Sequence, residues 1–514
     1  MIYILCCIKT GGFYNLSLTV DKIWSHYLSD GAGKITYKDI KIDYSEAYKI
    51  INGTVRFLNK KDIGKDSIVT VMDFNTLDHY ILQNAVPMSG AIINSMNIML
   101  SPKDIKKIID KIDPDLIFIN QILFPTLSEI IRGRDYIIID GKWSYENFNK
   151  NIETINYDYL TENQPAQIVL TSGTTGDPKM ILYTHKQVIE AIWAISSLLS
   201  TYEGPAKLTS NDNAMAIIPM YHIFGWGMVY IPQLIGFNLV LDGKFVPSDA
   251  LNTIKNNDVT WINAVPTMVN FLMAYQKNNE LSGLKILLGG SSISEKLKNQ
   301  ILKLNMEFAS IYGFSDGLIA GIGRINSSES NLSLEDIEEK LRTSVTLAPF
   351  ASVKIEKLEN SDYGKIYFSA PWLPDKYYLY DRENYKNGWF YTGDIGMMNS
   401  DGRLTVMDRE KDLIKSGGEW IPSAVLESII SSFTGVNLCA VVGIEDEKWG
   451  ERPVAIVNEG INNDELMNYL KSLVDNGTLN KWWLPERIYN IENFPLSGTG
   501  KINKRELKSL FMKK

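Results

Sequence analysis

Thr171-Ser172-Gly173-Thr174-Thr175-Gly176-Asp177-Pro178-Lys179 follows the apolar run Ala166-Gln167-Ile168-Val169-Leu170. The run has the length of a buried strand, and it empties into a loop of hydroxyls and glycines that ends in lysine. Glycine lets the backbone approach an anion closely and adopt positive φ. Backbone N–H groups and hydroxyls donate to phosphate oxygens, and Lys179 adds a point charge. The composition therefore fits a phosphate cradle, and it also fits a solvated turn. It is not the G-x-x-x-x-G-K-[ST] loop: Gly173 and Gly176 are too close, and Pro178 stands where a glycine should precede the lysine.

The chain has 514 residues, more than one core usually supports, so two or more domains are expected. With 45% hydrophobic and 22% charged residues it has the composition of a globular protein. A net charge of -8 and a sequence pI near 5.3 argue against a nucleic-acid-binding surface. The three cysteines, Cys6, Cys7 and Cys439, suit a reducing, cytoplasmic compartment, and none pairs with histidine at zinc-site spacing. The apolar start Met1 to Ile8 lacks the basic region of a signal peptide. Ala214 to Leu241 carries no Asp, Glu, Lys or Arg, but Pro219, His222, Pro232 and its glycines speak against a membrane span. A buried strand, a turn at His222 and a buried helix are expected there.

Ser67 to Met72 and Leu116 to Ile119 read as strands. Ile105, Ile108, Ile109 and Ile112 recur at helical spacing behind Ser101 as N-cap and Pro102 in the first turn. Strands alternating with helices predict parallel α/β layers. Asn326 to Lys340 reads as an exposed loop and helix. The last hundred residues form an α+β unit: helices at Val425 to Phe433 and Leu466 to Leu473, strands at Cys439 to Ile444 and Val454 to Val457. The charged string Asp408-Arg409-Glu410-Lys411-Asp412 precedes it as a linker.

Further stretches recur in a recognisable order: Pro219-Met220-Tyr221-His222, Gly289-Gly290-Ser291-Ser292, Tyr312-Gly313-Phe314-Ser315-Asp316, Tyr391-Thr392-Gly393-Asp394, Asp408 to Glu419, and Pro495-Leu496-Ser497-Gly498-Thr499-Gly500-Lys501. Together with Thr171 to Lys179 they resemble the adenylate-forming superfamily of acyl-CoA synthetases, luciferases and peptide-synthetase adenylation domains. The resemblance covers about residues 166 to 505. It departs at Met180, where glycine is usual, and at Ser315 and Asp316, where threonine and glutamate are usual. Arg342 to Phe350 does not keep the expected G-x-P pattern.

The resemblance implies an α/β fold: a large N-terminal domain, 1-408, of layered, mostly parallel sheets with helices and a small β-subdomain, and a small mobile α+β domain, 409-514, hinged near Lys411. It implies ATP, Mg²⁺ and coenzyme A. Thr171, Ser172, Gly173, Thr174, Thr175, Gly176 and Lys179 would hold the β- and γ-phosphates, which leave as pyrophosphate. Gly290, Ser291 and Ser292 would read the adenine edge, with Tyr312 stacked on the ring. Asp394 would take the ribose hydroxyls with Arg409 assisting. Ser315 would touch the α-phosphate, and Asp316 with Thr171 would hold the metal. Lys501 would bridge the acyl oxygen and α-phosphate as charge gathers in the transition state. His222 would border the carboxylate, positioning it, since a carboxylate is already ionised at neutral pH. Gly417 and Gly418 would open on the CoA channel.

Lys415-Ser416-Gly417-Gly418-Glu419-Trp420-Ile421 and Lys481-Trp482-Trp483-Leu484-Pro485 are most similar to medium- and long-chain fatty acyl-CoA synthetases. Trp226 stands where those enzymes have a tryptophan that gates the acyl tunnel, and Gly313 leaves room for more than acetyl. A medium- or long-chain acid is the expected substrate. A free-standing amino-acid or aryl-acid adenylating enzyme remains open, as does a nucleotide-binding regulator without catalysis. Peripheral membrane association and a homodimer are compatible with the sequence.

Overall fold

The computed structural model describes all residues other than 1–16, 25–32, 149–154, 172–178, 203, 327–328, 330, 360, 375–376, 380–384, 496–501 and 512–514. It has a large N-terminal part built on two sheets and a smaller C-terminal part built on one. The first sheet is six-stranded, in the order Tyr136–Ile139, Leu116–Asn120, Ile68–Met72, Ile92–Ser95, Pro165–Thr171 and Lys179–Thr184. All its pairs are parallel except the last, which is antiparallel. The expected helix spans Pro102–Ile112; the Ser101 hydroxyl accepts the Asp104 N–H, and all four isoleucines are buried. Burying such an isoleucine stripe contributes about 1.5–3 kcal/mol per side chain before entropy is subtracted.

The second sheet has fourteen strands among the described residues. Its parallel centre runs through Asn238–Leu241, Asn213–Ala216, Trp261–Ala264, Lys285–Gly289 and Glu307–Phe314. From Leu318–Ile322 outward it turns antiparallel, through Ser344–Leu347, Leu404–Arg409, Trp389–Met398, Gly364–Ser369 and Ser352–Lys357. The β-subdomain is thus a hydrogen-bonded continuation of the parallel sheet. The irregular stretch after Arg342 is the end of the helix Leu334–Thr343 and the strand Ser344–Leu347. Phe350, at φ 67, then turns the chain and is exposed.

The uncharged segment folds as the strand Asn213–Ala216, a turn, the helix Ile223–Ile235 and the strand Asn238–Leu241. Among the described residues no helix is long and apolar enough to cross a membrane. The C-terminal sheet pairs Glu419–Ile421, Ile414–Ser416, Gly450–Asn458 and Cys439–Asp446, with Arg487–Ile491 beside Gly450–Asn458. Its helices Ser423–Ser431 and Asn463–Asp475 bury Leu426, Ile430, Leu466 and Leu470 against it. Asp408 and Arg409 end the strand Leu404–Arg409, so only the 3-10 turn Glu410–Asp412 and Leu413 lie between the two parts.

Thr171, Gly289 and Phe314 each end a strand at its carboxyl edge. In open α/β sheets that edge forms the ligand crevice.

Candidate functional site

Thr171 and Lys179 face each other in register at the mouth of the antiparallel hairpin. Ser172, Gly173, Thr174, Thr175 and Gly176 lie outside the described residues. Met180 has a structural role: it is 1% exposed and packs with Ile168 and Leu170 in the core under the first sheet. Its carbonyl accepts the Tyr378 N–H at 2.7 Å. The Lys179 ammonium sits 5.1 Å over the Tyr377 ring, and the Tyr377 hydroxyl donates to Asp316 Oδ1 at 2.7 Å. The Tyr183 hydroxyl donates to the Ser315 carbonyl at 2.7 Å. Lys179 and Asp316 are thereby joined through Tyr377, which sequence reasoning passed over because its partners are remote in the chain.

Among the described residues no group of three His, Cys, Asp or Glu could hold a metal by itself. Mg²⁺ typically takes one or two carboxylates and fills its shell with phosphate oxygens and water. The single Asp316 carboxylate, with the Thr171 hydroxyl, fits an ion that arrives with a nucleotide. Asp316 is one methylene shorter than glutamate, and the Tyr377 hydroxyl fixes where its carboxylate points.

Asp394 and Arg409 stand opposite each other on neighbouring antiparallel strands. Arg409 Nε lies 2.7 Å from Asp394 Oδ1, and the Tyr312 hydroxyl donates to Asp394 Oδ2 at 2.5 Å. Burial first, and then the Asp394 charge, push the Tyr312 phenol well above its ordinary range, so it stays protonated as a donor. The Asp394 carboxylate beside it holds the half-exposed Arg409 guanidinium raised. Asp394 is 2% exposed, and its N–H donates to the Thr392 hydroxyl at 3.1 Å. The three residues expected around ribose and adenine are thus one hydrogen-bonded unit. Gly290, at φ 86, turns the chain after Lys285–Gly289 and leaves Ser291 and Ser292 exposed.

His222 is the N-cap of the helix Ile223–Ile235, and its ring lies 4.7 Å from that of Tyr221. Gly225 is obligatory there: a Cβ would fall 1.9 Å from the Pro219 carbonyl oxygen. Beside this turn is an apolar cavity of about 20 Å³ walled by Ile195, Leu199, Phe224, Ile231, Trp261 and Ile311. Trp226 is not part of that wall. It is 2% exposed, packed edge-on to Tyr230 in the core. Gly313 does not leave open space either, because a Cβ would lie 2.2 Å from the Leu318 carbonyl oxygen and 3.0 Å from Phe224 Cζ. Phe224 also lies 3.4 Å from a Cβ built on Gly289, so its ring occupies the room that both glycines leave. Phe224 belongs to the stretch around His222, and its position two residues on was the available signal.

In the C-terminal part Gly417 (φ 60) and Gly418 (φ 91) make the turn of the hairpin Ile414–Ile421. The Gly417 N–H donates to the Trp449 carbonyl at 2.8 Å, and a Cβ there would meet Trp449 Cε3 at 2.8 Å. Lys411 is exposed in the 3-10 turn, while Glu410 accepts the Tyr391 hydroxyl at 2.6 Å and pairs with Lys365 at 2.8 Å. On its other side Asp408 accepts the Ser423 hydroxyl at 2.7 Å. Lys504 reaches Ser423 Oγ and Glu427 Oε1, both at 2.6 Å, a network that the sequence did not reveal. Lys501 lies outside the described residues.

Residues 29–378 match the model of the AMP-binding enzyme family, and 425–501 that of the AMP-binding enzyme C-terminal domain. A long-chain-fatty-acid–CoA ligase of Thermus thermophilus is 28% identical over 498 residues, covering 91% of this chain and 90% of that protein. A 3-methylmercaptopropionyl-CoA ligase of Ruegeria lacuscaerulensis is 27% identical over 485 residues, 88% of this chain and 89% of its own. The structure of an anthranilate CoA ligase in complex with anthranoyl-AMP superposes with a TM-score of 0.83 at 19% identity, covering 96% of this chain and 97% of the other. The o-succinylbenzoate CoA synthetase from Bacillus subtilis gives 0.78 at 23%, covering 96% and 98%. With the family model spanning well over half of its length, the chain belongs to the AMP-binding enzyme family.

Proposed function

We propose that this chain ligates a carboxylic acid to coenzyme A through an acyl-adenylate. The observation that carries this reading is the Tyr312–Asp394–Arg409 unit in a chain of the AMP-binding enzyme family, whose relatives include CoA ligases for fatty, methylmercaptopropionic and succinylbenzoic acids. A carboxylate is a poor acylating agent because its oxygen is a poor leaving group. Attack of a carboxylate oxygen on the α-phosphorus of ATP expels pyrophosphate and leaves an acyl group whose leaving group is AMP. The CoA thiolate then attacks the acyl carbon and AMP departs.

Asp394 takes the ribose hydroxyls while Arg409 keeps it ionised. The hairpin mouth from Thr171 to Lys179 binds the departing phosphates. Lys501 balances charge where the acyl oxygen meets the α-phosphate. Mg²⁺, when bound, neutralises phosphate charge, and Asp316 is the residue that would hold it. His222 orients the acid beside the apolar cavity, which has to widen around the Phe224 ring before it can take a medium or long apolar body. The C-terminal domain, 409-514, turns about Lys411 between the two half-reactions and brings the Gly417–Gly418 hairpin to the CoA channel. Glu410 and Asp408, clipped to opposite parts, flank that hinge.

The test is a split of half-reactions. Lys501→Ala is expected to lose adenylate formation while retaining thioester formation from supplied acyl-AMP. Survival of both half-reactions contradicts the role given to Lys501.

A further inference from the structure

Asn75 lies in the loop after the strand Ile68–Met72, at the carboxyl edge of the first sheet, and it reaches across to the second. Its backbone N–H and carbonyl exchange hydrogen bonds with those of Gly243, at 3.2 and 2.9 Å. Its side chain takes hold of the chain just ahead of His222. The carboxamide nitrogen donates to the Ala216 carbonyl at 2.8 Å and to the Ile218 carbonyl at 3.0 Å, and the oxygen accepts the Met220 N–H at 2.8 Å. Both N–H groups and the oxygen of one 4% exposed side chain are thus committed to the backbone from Ala216 to Met220.

The strand Asn213–Ala216 ends at this point, and Pro219 has no N–H to give to a sheet ladder. Buried backbone groups that leave a ladder need other partners. Asn263, on the strand Trp261–Ala264, supplies two more: its oxygen accepts the Ile217 N–H at 3.1 Å, and its nitrogen donates to the Phe224 carbonyl at 2.8 Å. The His222 N–H closes the turn on the Pro219 carbonyl at 2.9 Å. One asparagine from each sheet therefore braces the segment that carries His222 and Phe224. Asn75 is itself held in place, because the neighbouring Asp73 carboxylate accepts the Phe74 N–H and an Asn120 side-chain N–H, both at 2.7 Å, and the Thr76 hydroxyl.

We propose that Asn75 is a positioning residue for adenylate formation, holding the turn that carries His222 in register with the sheet that carries the phosphate hairpin. The proposal rests on the ligase reading above and extends it to a residue which that reading gives no part. The attacking carboxylate and the α-phosphorus must meet, yet His222 follows a strand of the second sheet while Thr171 and Lys179 lie on the first. Asn75 shares the carboxyl edge of the parallel strands with Thr171 and bonds directly to the His222 turn. Misplacing a reacting group by about 1 Å costs about 100-fold in rate. Tyr312, Asp394 and Arg409 hold the nucleotide from other strands, Glu307–Phe314, Trp389–Met398 and Leu404–Arg409, so loss of the Asn75 side chain acts on the acid and not on ATP.

The experiment compares the full chain as wild type, Asn75→Ala and Asn52→Ala, each also combined with His222→Ala. Asn52 is the matched control in the helix Tyr44–Lys60: it is 2% exposed, donates to the Tyr48 carbonyl at 2.7 Å, and accepts the Tyr157 hydroxyl at 2.7 Å and the Ile155 N–H at 3.4 Å. CoA-dependent AMP release is measured against acid concentration, and ATP binding by calorimetry. Asn75→Ala is expected to lower kcat/KM for the acid by about 10- to 100-fold and to leave the ATP Kd within about twofold. With His222→Ala already present, the same substitution is expected to lose less than about threefold, because the ring it positions is gone. Asn52→Ala keeps wild-type kinetics. Asn75→Ser, which keeps one hydroxyl for the turn, gives the same split on a smaller scale where Asn75→Ala does not fold. If Asn75→Ala weakens ATP in the same proportion, or loses as much without His222 as with it, Asn75 only supports the fold, and the proposal is overturned while the ligase reading stands. Wild-type kinetics in Asn75→Ala overturn it as well. If no acid supports AMP release in the wild type, the ligase reading itself falls and takes the proposal with it.

Discussion

Asp394 and Arg409 are cross-strand partners, and the 2.7 Å contact between them holds the carboxylate at the rim of the crevice with the Tyr312 hydroxyl on its other oxygen. The strand pairing sets this geometry before any nucleotide arrives. Asp394→Asn keeps the shape and removes the charge, so the Tyr312 and Arg409 donors lose their anion. ATP affinity is expected to fall by about 10- to 100-fold. A nucleotide titration that gives the same Kd for both proteins contradicts the role assigned to Asp394.

Tyr377→Phe preserves the ring under Lys179 and deletes the 2.7 Å hydrogen bond to Asp316. Its net worth is about 1 kcal/mol, or roughly fivefold. The Mg²⁺ concentration for half-maximal adenylation is expected to rise by about that factor, with the melting temperature little changed. An unaltered Mg²⁺ midpoint would mean that Asp316 does not hold the metal.

Phe224→Ala removes the ring that rests against Gly289 and Gly313. The apolar cavity then opens toward the head of the site, and longer or wider acids gain. Each additional buried methylene is worth about 0.8 kcal/mol, roughly fourfold. Profiles of kcat/KM against chain length for wild type and variant read the effect; superimposable profiles count against Phe224 as the closing residue.

That Tyr312, Asp394 and Arg409 belong together was legible in the sequence because each sits in a short motif of its own, and the structure joins them by hydrogen bonds. The helix Pro102–Ile112 was legible for the same reason: Ser101, Pro102 and four isoleucines are a complete local statement of cap, first turn and buried stripe. What escaped depends on distance along the chain. Tyr377 acquires its role only when the hairpin carries Lys179 over it. Phe224 closes the cavity only because Gly289 and Gly313, on two other strands, leave it room. Trp226 illustrates the converse, since its motif position suggests a gate while the helix turns it into the core. Met180, where the sequence departs from the motif, is buried beneath the sheet with Ile168 and Leu170.

Glu427 gives a pH signature. Burial raises its carboxyl from 4.5 to about 6, although Lys504 opposes the shift. Between about pH 4.5 and 6 the folded state then holds a proton that the unfolded chain has released, so this group's contribution to stability falls as pH rises through that window. Relative to Glu427→Gln, the wild type is expected to lose about 2 kcal/mol between pH 4 and 7 in urea unfolding. A pH-independent difference between the two contradicts the burial argument.

Acid-dependent exchange of pyrophosphate into ATP reads adenylate formation itself. The full chain with ATP, Mg²⁺ and labelled pyrophosphate is expected to show exchange only when a carboxylic acid is added, and to release AMP once coenzyme A is supplied. Nucleotide binding with no exchange across acids from acetate length to palmitate length would contradict adenylate formation and leave a nucleotide-binding protein without this chemistry.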